Sequence, residues 1–114
     1  MKPVGPYSPI VEVGNLVVCS GQLGLKDGVL VDGGVPGQLT QAISNLVDLL
    51  DQFDLGLDSV FKTTVFLENI DDYSAMNEAY VEAFGDVRPA RSAVAVDQLP
   101  LGAAVEIEAW AYRT

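Results

Sequence analysis

Two stretches of this chain, and only two, repeat their apolar residues with a helical period, and both are set among short β-rich runs. In the first, Leu39, Ala42, Ile43, Leu46, Val47, Leu50 and Phe53 recur at three- and four-residue steps between Gln38 and about Phe53. Gln41, Ser44, Asn45, Asp48 and Asp51 are expected largely on the other side, with Gly56 as a stop. Gly33-Gly34-Val35-Pro36-Gly37 reads as a loop ahead of this helix. The second stretch runs from about Tyr73 to Phe84 on a stripe of Met76, Ala79, Tyr80 and Ala83. Asp71 and Asp72 offer N-caps, and Gly85 ends it.

Around these helices, Ile10–Val13 and Leu16–Ser20 flank Gly14-Asn15 and predict a tight hairpin. Lys26-Asp27-Gly28 is a turn before a short strand, Val29–Val31. Val60–Leu67 is β-branched and aromatic, and Ser92–Val96 and Val105–Tyr112 are the last strands. In the final strand Val105, Ile107, Ala109 and Ala111 share one face, while Glu106, Glu108, Trp110 and Tyr112 share the other. The order β-β-β-α-β-α-β-β leaves two helices to cover one face of the sheet, which predicts an α+β class. The uncovered face is either solvated or meets another subunit; Trp110 and Tyr112, poorly placed in water, favour the subunit.

The 114 residues suit a single domain over residues 1–114. Six Lys+Arg against 16 Asp+Glu, with no histidine, give a net charge of −10. Such a chain repels phosphate backbones, so neither nucleic acid nor a membrane is expected as a partner. One cysteine and no histidine remove multi-cysteine zinc sites, Ser-His-Asp and Cys-His nucleophile pairs, and the HExxH metalloprotease. No metal and no cofactor is expected. Met1-Lys2-Pro3-Val4-Gly5-Pro6 lacks the apolar stretch of a signal peptide, and no run approaches the ~18 apolar residues of a membrane span. A cytoplasmic protein is the expectation.

Chemistry is therefore left to carboxylates, phenols, hydroxyls, Arg, the lone Cys, backbone groups and water. Arg91 stands at the mouth of an apolar strand in Pro89-Ala90-Arg91-Ser92-Ala93-Val94. Its permanently charged planar fork matches a carboxylate, either a ligand's or that of a structural ion pair. Glu106 and Glu108, two apart on a strand, point to the same side. They are either an acid–base pair separated by burial or two exposed acids. Tyr7, held in Gly5-Pro6-Tyr7-Ser8-Pro9, is either a fixed phenol or a packing aromatic. Ser20-Gly21-Gln22 follows a strand, where a hydroxyl and free N–H groups could meet a ligand or merely turn the chain. Cys19, within an apolar strand, reads as a small buried residue.

Taken in order, Gly5-Pro6-Tyr7-Ser8-Pro9, Val18-Cys19-Ser20-Gly21-Gln22, Lys62-Thr63-Thr64-Val65-Phe66-Leu67, Met76-Asn77-Glu78-Ala79-Tyr80, Pro89-Ala90-Arg91-Ser92 and Val105-Glu106-Ile107-Glu108-Ala109 closely resemble the RidA/YjgF family of reactive-intermediate deaminases, essentially from end to end. The resemblance implies a chorismate-mutase-like α+β fold in a homotrimer with sites between subunits. It also implies hydrolysis of 2-imino and 2-enamino acids, such as 2-iminobutanoate and 2-iminopropanoate, to 2-oxo acids and ammonia. By the same resemblance Arg91 grips the substrate carboxylate, Glu106 handles water or a proton, and Tyr7, Ser20 and Asn77 are further site positions. The family's frequent cysteine two residues beyond the arginine is replaced by Ala93, which leaves only backbone groups there. The connection Gly85-Asp86-Val87-Arg88 is short for the family and would reshape the cleft rim. A non-catalytic small-molecule or partner-binding module on the same scaffold is the alternative. The endoribonuclease activity attached to some relatives fits poorly with the −10 charge and absent histidine.

Overall fold

A computed structural model describes residues 3–114. Five strands form a mixed sheet in the order β1-β2-β7-β5-β6: β1 (Ile10–Val13), β2 (Leu16–Leu23), β5 (Val60–Leu67), β6 (Ala90–Ala95) and β7 (Val105–Tyr112). All neighbours are antiparallel except β5 and β6, whose parallel pairing requires a crossover, supplied by helix α2 (Tyr73–Phe84). A two-stranded arm of β3 (Leu25–Lys26) and β4 (Val29–Leu30) leads into helix α1 (Gly34–Asp51). The arm turns on Asp27 and Gly28, both at positive φ (53° and 82°), which is why an Asp-Gly pair stands there.

The helices cover one face of the sheet, as their number demanded. Val17, Cys19, Val65, Leu67, Val105, Ile107 and Ala109 pack from the strands against Leu39, Ile43, Leu46 and Leu50 of α1 and Met76 and Tyr80 of α2. Leu46 is wholly buried; truncating it to Ala would remove about 2–5 kcal/mol. The other face carries Val11, Val13, Trp110 and Tyr112, each at least 41% exposed. Among the described residues no helix is long and apolar enough to cross a membrane.

Several boundaries differ from the sequence reading. Helix α1 begins at Gly34, one turn early, and absorbs the expected loop. Pro36 suits a first turn because its missing N–H has no partner there in any case. The helix ends at Asp51, not Phe53, and Val47 is exposed whereas Leu49 is buried. Asn45, expected on the outer side, is buried. Its amide donates to the carbonyls of Leu23 (3.1 Å) and Leu25 (3.0 Å), where the sheet hands over to the arm, and accepts from Gln41 (3.0 Å). A buried amide is tolerated here because its bonds are made. Asp72 occupies the N-cap of α2 without a side-chain bond; instead Asn69 accepts from the Asp71 N–H. Strand β2 continues past Ser20, its expected end, through Gly21 and Gln22 to Leu23, by means of an irregularity in its pairing with β7 between Cys19 and Gln22. β6 starts at Ala90 rather than Ser92.

Candidate active site

The six candidate residues sort into two half-sites on opposite faces of the sheet. The first is built on the β2 irregularity. The Ser20 hydroxyl donates to the Ser8 carbonyl (2.7 Å), its N–H donates to the Pro9 carbonyl (2.8 Å), and its carbonyl accepts from the Gln22 side-chain amide (3.2 Å). The first two bonds tie the Tyr7 segment to β2. Tyr7, Ser20, Gly21, Glu106 and Glu108 then line an open cleft of about 370 Å³ together with Val4, Leu23 and Pro100. The Glu106 carboxylate lies directly over Gly21: a Cβ at that glycine would stand 2.3 Å from Glu106 Oε2. Gly21 thus makes room for the carboxylate. Burial against the sheet raises the Glu106 pKa above its usual value, and the neighbouring Glu108 charge raises it further.

The second half-site is on the helix-covered face, at the outer edge of β6. Arg91 pairs in register with Thr63 and points to the same side. Its Nη2 donates to the Tyr73 hydroxyl (3.1 Å) and its Nη1 approaches the Met76 sulfur (3.6 Å), while its guanidinium carbon lies 4.9 Å from the centre of the Tyr80 ring. Tyr80 is fixed by a 2.7 Å hydrogen bond with the buried Thr63 hydroxyl and by stacking on Phe84 at 4.5 Å. Among the described residues no carboxylate lies within ion-pair distance of Arg91, and the one salt bridge joins Arg113 to Glu12. Among the described residues, no structural ion pair explains Arg91. Asn77 lies on the same helical stripe as Tyr73, Met76 and Tyr80. Ala93 is two residues along β6 on the Arg91 side. Because the Val96 N–H bonds back to Leu67, alternation directs the N–H and C=O of Arg91 and Ala93 away from β5, off the open sheet edge.

Within one chain the half-sites do not meet. Thr63 links Arg91 across to Ala109, and Glu106 is three residues further along β7. The backbones of Arg91 and Glu106 are therefore roughly 14 Å apart by strand spacing and rise, with their side chains on opposite faces. Cys19 is buried and its thiol is pushed up to about 11, as a structural cysteine should be. Among the described residues no three His, Cys, Asp or Glu side chains are grouped as a metal site would require.

The sequence reading missed Tyr73 and the roles of Tyr80 and Met76, which it treated as helix start and core stripe. The signal was available in their spacing: 73, 76 and 80 form one face of the helix that must cross over β6.

Residues 1–113 match the model of the family described as Endoribonuclease L-PSP. A RutC family protein of Pyrococcus horikoshii is 40% identical over 114 residues, covering 98% of this chain and 90% of the relative. A mouse (Mus musculus) protein named 2-iminobutanoate/2-iminopropanoate deaminase is 43% identical over 108 residues, covering 93% and 80%. The crystal structure of the YjgF gene product of E. coli superposes with a TM-score of 0.92 at 33% identity, covering 98% of this chain and 91% of that one. Whole-length matches in sequence and in fold, on a chain that carries the family's segments in order, make this protein a member of the RidA/YjgF family.

Proposed function

We propose that this protein hydrolyses small 2-imino acids, and their 2-enamino tautomers, to 2-oxo acids and ammonia at sites completed by a second copy of the chain in a homotrimer. The observation that carries this reading is Arg91: a guanidinium held by Tyr73, Met76 and Tyr80, with no acidic partner among the described residues of a chain with 16 acids. A cation so placed is free to receive a carboxylate. The name of the mouse relative supplies the substrate class.

In this mechanism Arg91 anchors the substrate carboxylate, and the outward N–H of Ala93 and the Asn77 side chain stand beside it. Glu106 comes from the neighbouring subunit, with Tyr7 and Ser20. The imine carbon is already electrophilic, so catalysis needs a positioned water rather than an activated side chain. With the imine nitrogen protonated, Glu106 accepts a proton as the water oxygen bonds to C2, giving a carbinolamine. It returns that proton to nitrogen; as the C–N bond breaks and ammonia leaves, the carbinolamine hydroxyl gives its proton to the Glu106 carboxylate and the carbonyl forms. An enamine must first gain a proton at C3. A carboxyl whose pKa is raised by burial is suited to both directions of transfer.

Two observations support the trimer: the opposite-face placement of Arg91 and Glu106, and the uncovered Trp110 and Tyr112. Ammonia release is measured with a threonine dehydratase as the imine source. Arg91→Ala is expected to abolish acceleration while leaving the oligomer intact, and normal turnover would refute the assignment. Mixing Arg91→Ala and Glu106→Gln subunits equally should restore about one quarter of the sites, the statistical share in which each interface draws its intact residue from a different subunit. Carboxylate binding without any acceleration by the unaltered protein would instead identify a binding module. The net charge of −10 speaks against RNA as the substrate.

A further inference from the structure

Tyr73 has no place in the reading so far except as a neighbour of Arg91. It opens α2, its side chain is 42% exposed, and its hydrogen bond among the described residues is the one accepted from Arg91 Nη2 at 3.1 Å. A phenol oxygen that accepts a bond keeps its own proton to donate. With a guanidinium on its lone pair, that O–H turns away from the cation and has no acceptor among the described residues, so it is free to donate to an anion the cation attracts. The rest of the arginine leaves this direction open. The Tyr80 ring shelves one side of the guanidinium, and Nη1 meets only a thioether, a weak acceptor. The remaining N–H donors have no protein acceptor among the described residues.

We infer that Tyr73 is a second substrate-binding residue, its hydroxyl donating to the carboxylate held by Arg91, so that the two form a clamp selective for a free carboxylate over an amide. This rests on Arg91 being the carboxylate anchor. The pair combines a cation, which supplies attraction, with a directional donor, which a neutral amide rewards far less.

The test is Tyr73→Phe, which keeps the ring and removes only the hydroxyl. It is read by KM and kcat in the imine assay and by direct titration of 2-oxobutanoate and 2-oxobutanamide. Losing one hydrogen bond to a charged group is expected to weaken 2-oxobutanoate binding and raise KM about tenfold. kcat should stay within about twofold, and amide binding should hardly change. Unchanged or tighter 2-oxobutanoate binding would overturn the inference, tighter binding meaning that the phenol merely caps the arginine. So would a fall in kcat at constant KM. Arg91→Ala is run alongside. If it binds and turns over normally, the anchor and the clamp both fall. If it is defective while Tyr73→Phe is not, only the clamp falls.

Discussion

Replacing Gly21 by Ala separates activity from stability in this protein. The backbone of Gly21 is not in the left-handed region, so alanine is conformationally acceptable there. Restricting the unfolded chain should stabilise the protein by about 0.4–1 kcal/mol. The added Cβ, however, would stand 2.3 Å from Glu106 Oε2 and 2.8 Å from its Cδ, where ordinary contact begins near 3.4 Å. The carboxylate must retreat by about 1 Å, a displacement able to lower a rate by about 100-fold when the group positions the attacking water. Glu106 is only half-buried and ends in a flexible chain, so it can move without unfolding anything. The expected outcome is kcat down about 100-fold in the imine assay with an equal or higher Tm. Gly24→Ala is the contrasting control. Its Cβ would meet the backbone of Gln38, at 2.5 Å from the carbonyl oxygen, and α1 cannot step aside. That variant should lose roughly 1–3 kcal/mol in denaturant unfolding. A Gly21→Ala protein with full kcat would refute the idea that Glu106 works from its position over the glycine.

Four further outcomes follow from the same geometry. Glu106 must be ionised to take a proton from water, and burial with Glu108 raises its pKa, so the acid limb of the kcat profile should lie above the ordinary carboxylate range. Glu108→Gln should move that limb downward, and an unmoved limb would exclude the coupling. Because the folded-state pKa exceeds the unfolded one, Glu106 favours folding most below its ordinary value, and this contribution fades as pH rises through the raised value. Glu106→Gln should therefore raise Tm more at pH 7 than at pH 4. Asn45→Ala leaves the Leu23 and Leu25 carbonyls without their donor and should destabilise by roughly 2–4 kcal/mol in urea unfolding; a change within error would show that water replaces the amide. Cys19, buried and pushed up to about 11, should react with a thiol reagent at neutral pH only as the protein unfolds, so rapid labelling of the native state would contradict the fold.

Within one chain the two candidate groups stand on opposite faces of the sheet and roughly 14 Å apart by strand spacing and rise. So held, Arg91 lies over Tyr80 with no acidic partner among the described residues, and Glu106 is a half-buried acid over Gly21. On the proposed reading, substrate is what joins them, at the boundary between copies.

The elements themselves were legible along the chain because helix and strand periods are local properties. The stripe through Leu39, Leu46 and Leu50, and the alternation of Val105, Ile107 and Ala109 with Glu106 and Glu108, report which face each residue takes on its own element. The candidacy of Arg91 and Glu106 was legible for the same reason: it rests on the residue types and on the segments around them. What the chain could not state was which face of the sheet Arg91 would join. β6 carries Ala93 and Ala95 on one side and Val94 on the other, so its alternation is silent. The answer came from parallel pairing to Thr63 beneath the crossover helix, which set Arg91 among Tyr73, Met76 and Tyr80. Likewise Asn45 looks polar and outward by period, but the carbonyls it satisfies come from Leu23 and Leu25, more than 20 positions earlier for the first and brought to the helix only by tertiary packing. Periodicity is fixed by the backbone geometry of a few neighbours; partners, register and the face that an edge-strand side chain joins depend on segments that meet only once the sheet has closed on its helices.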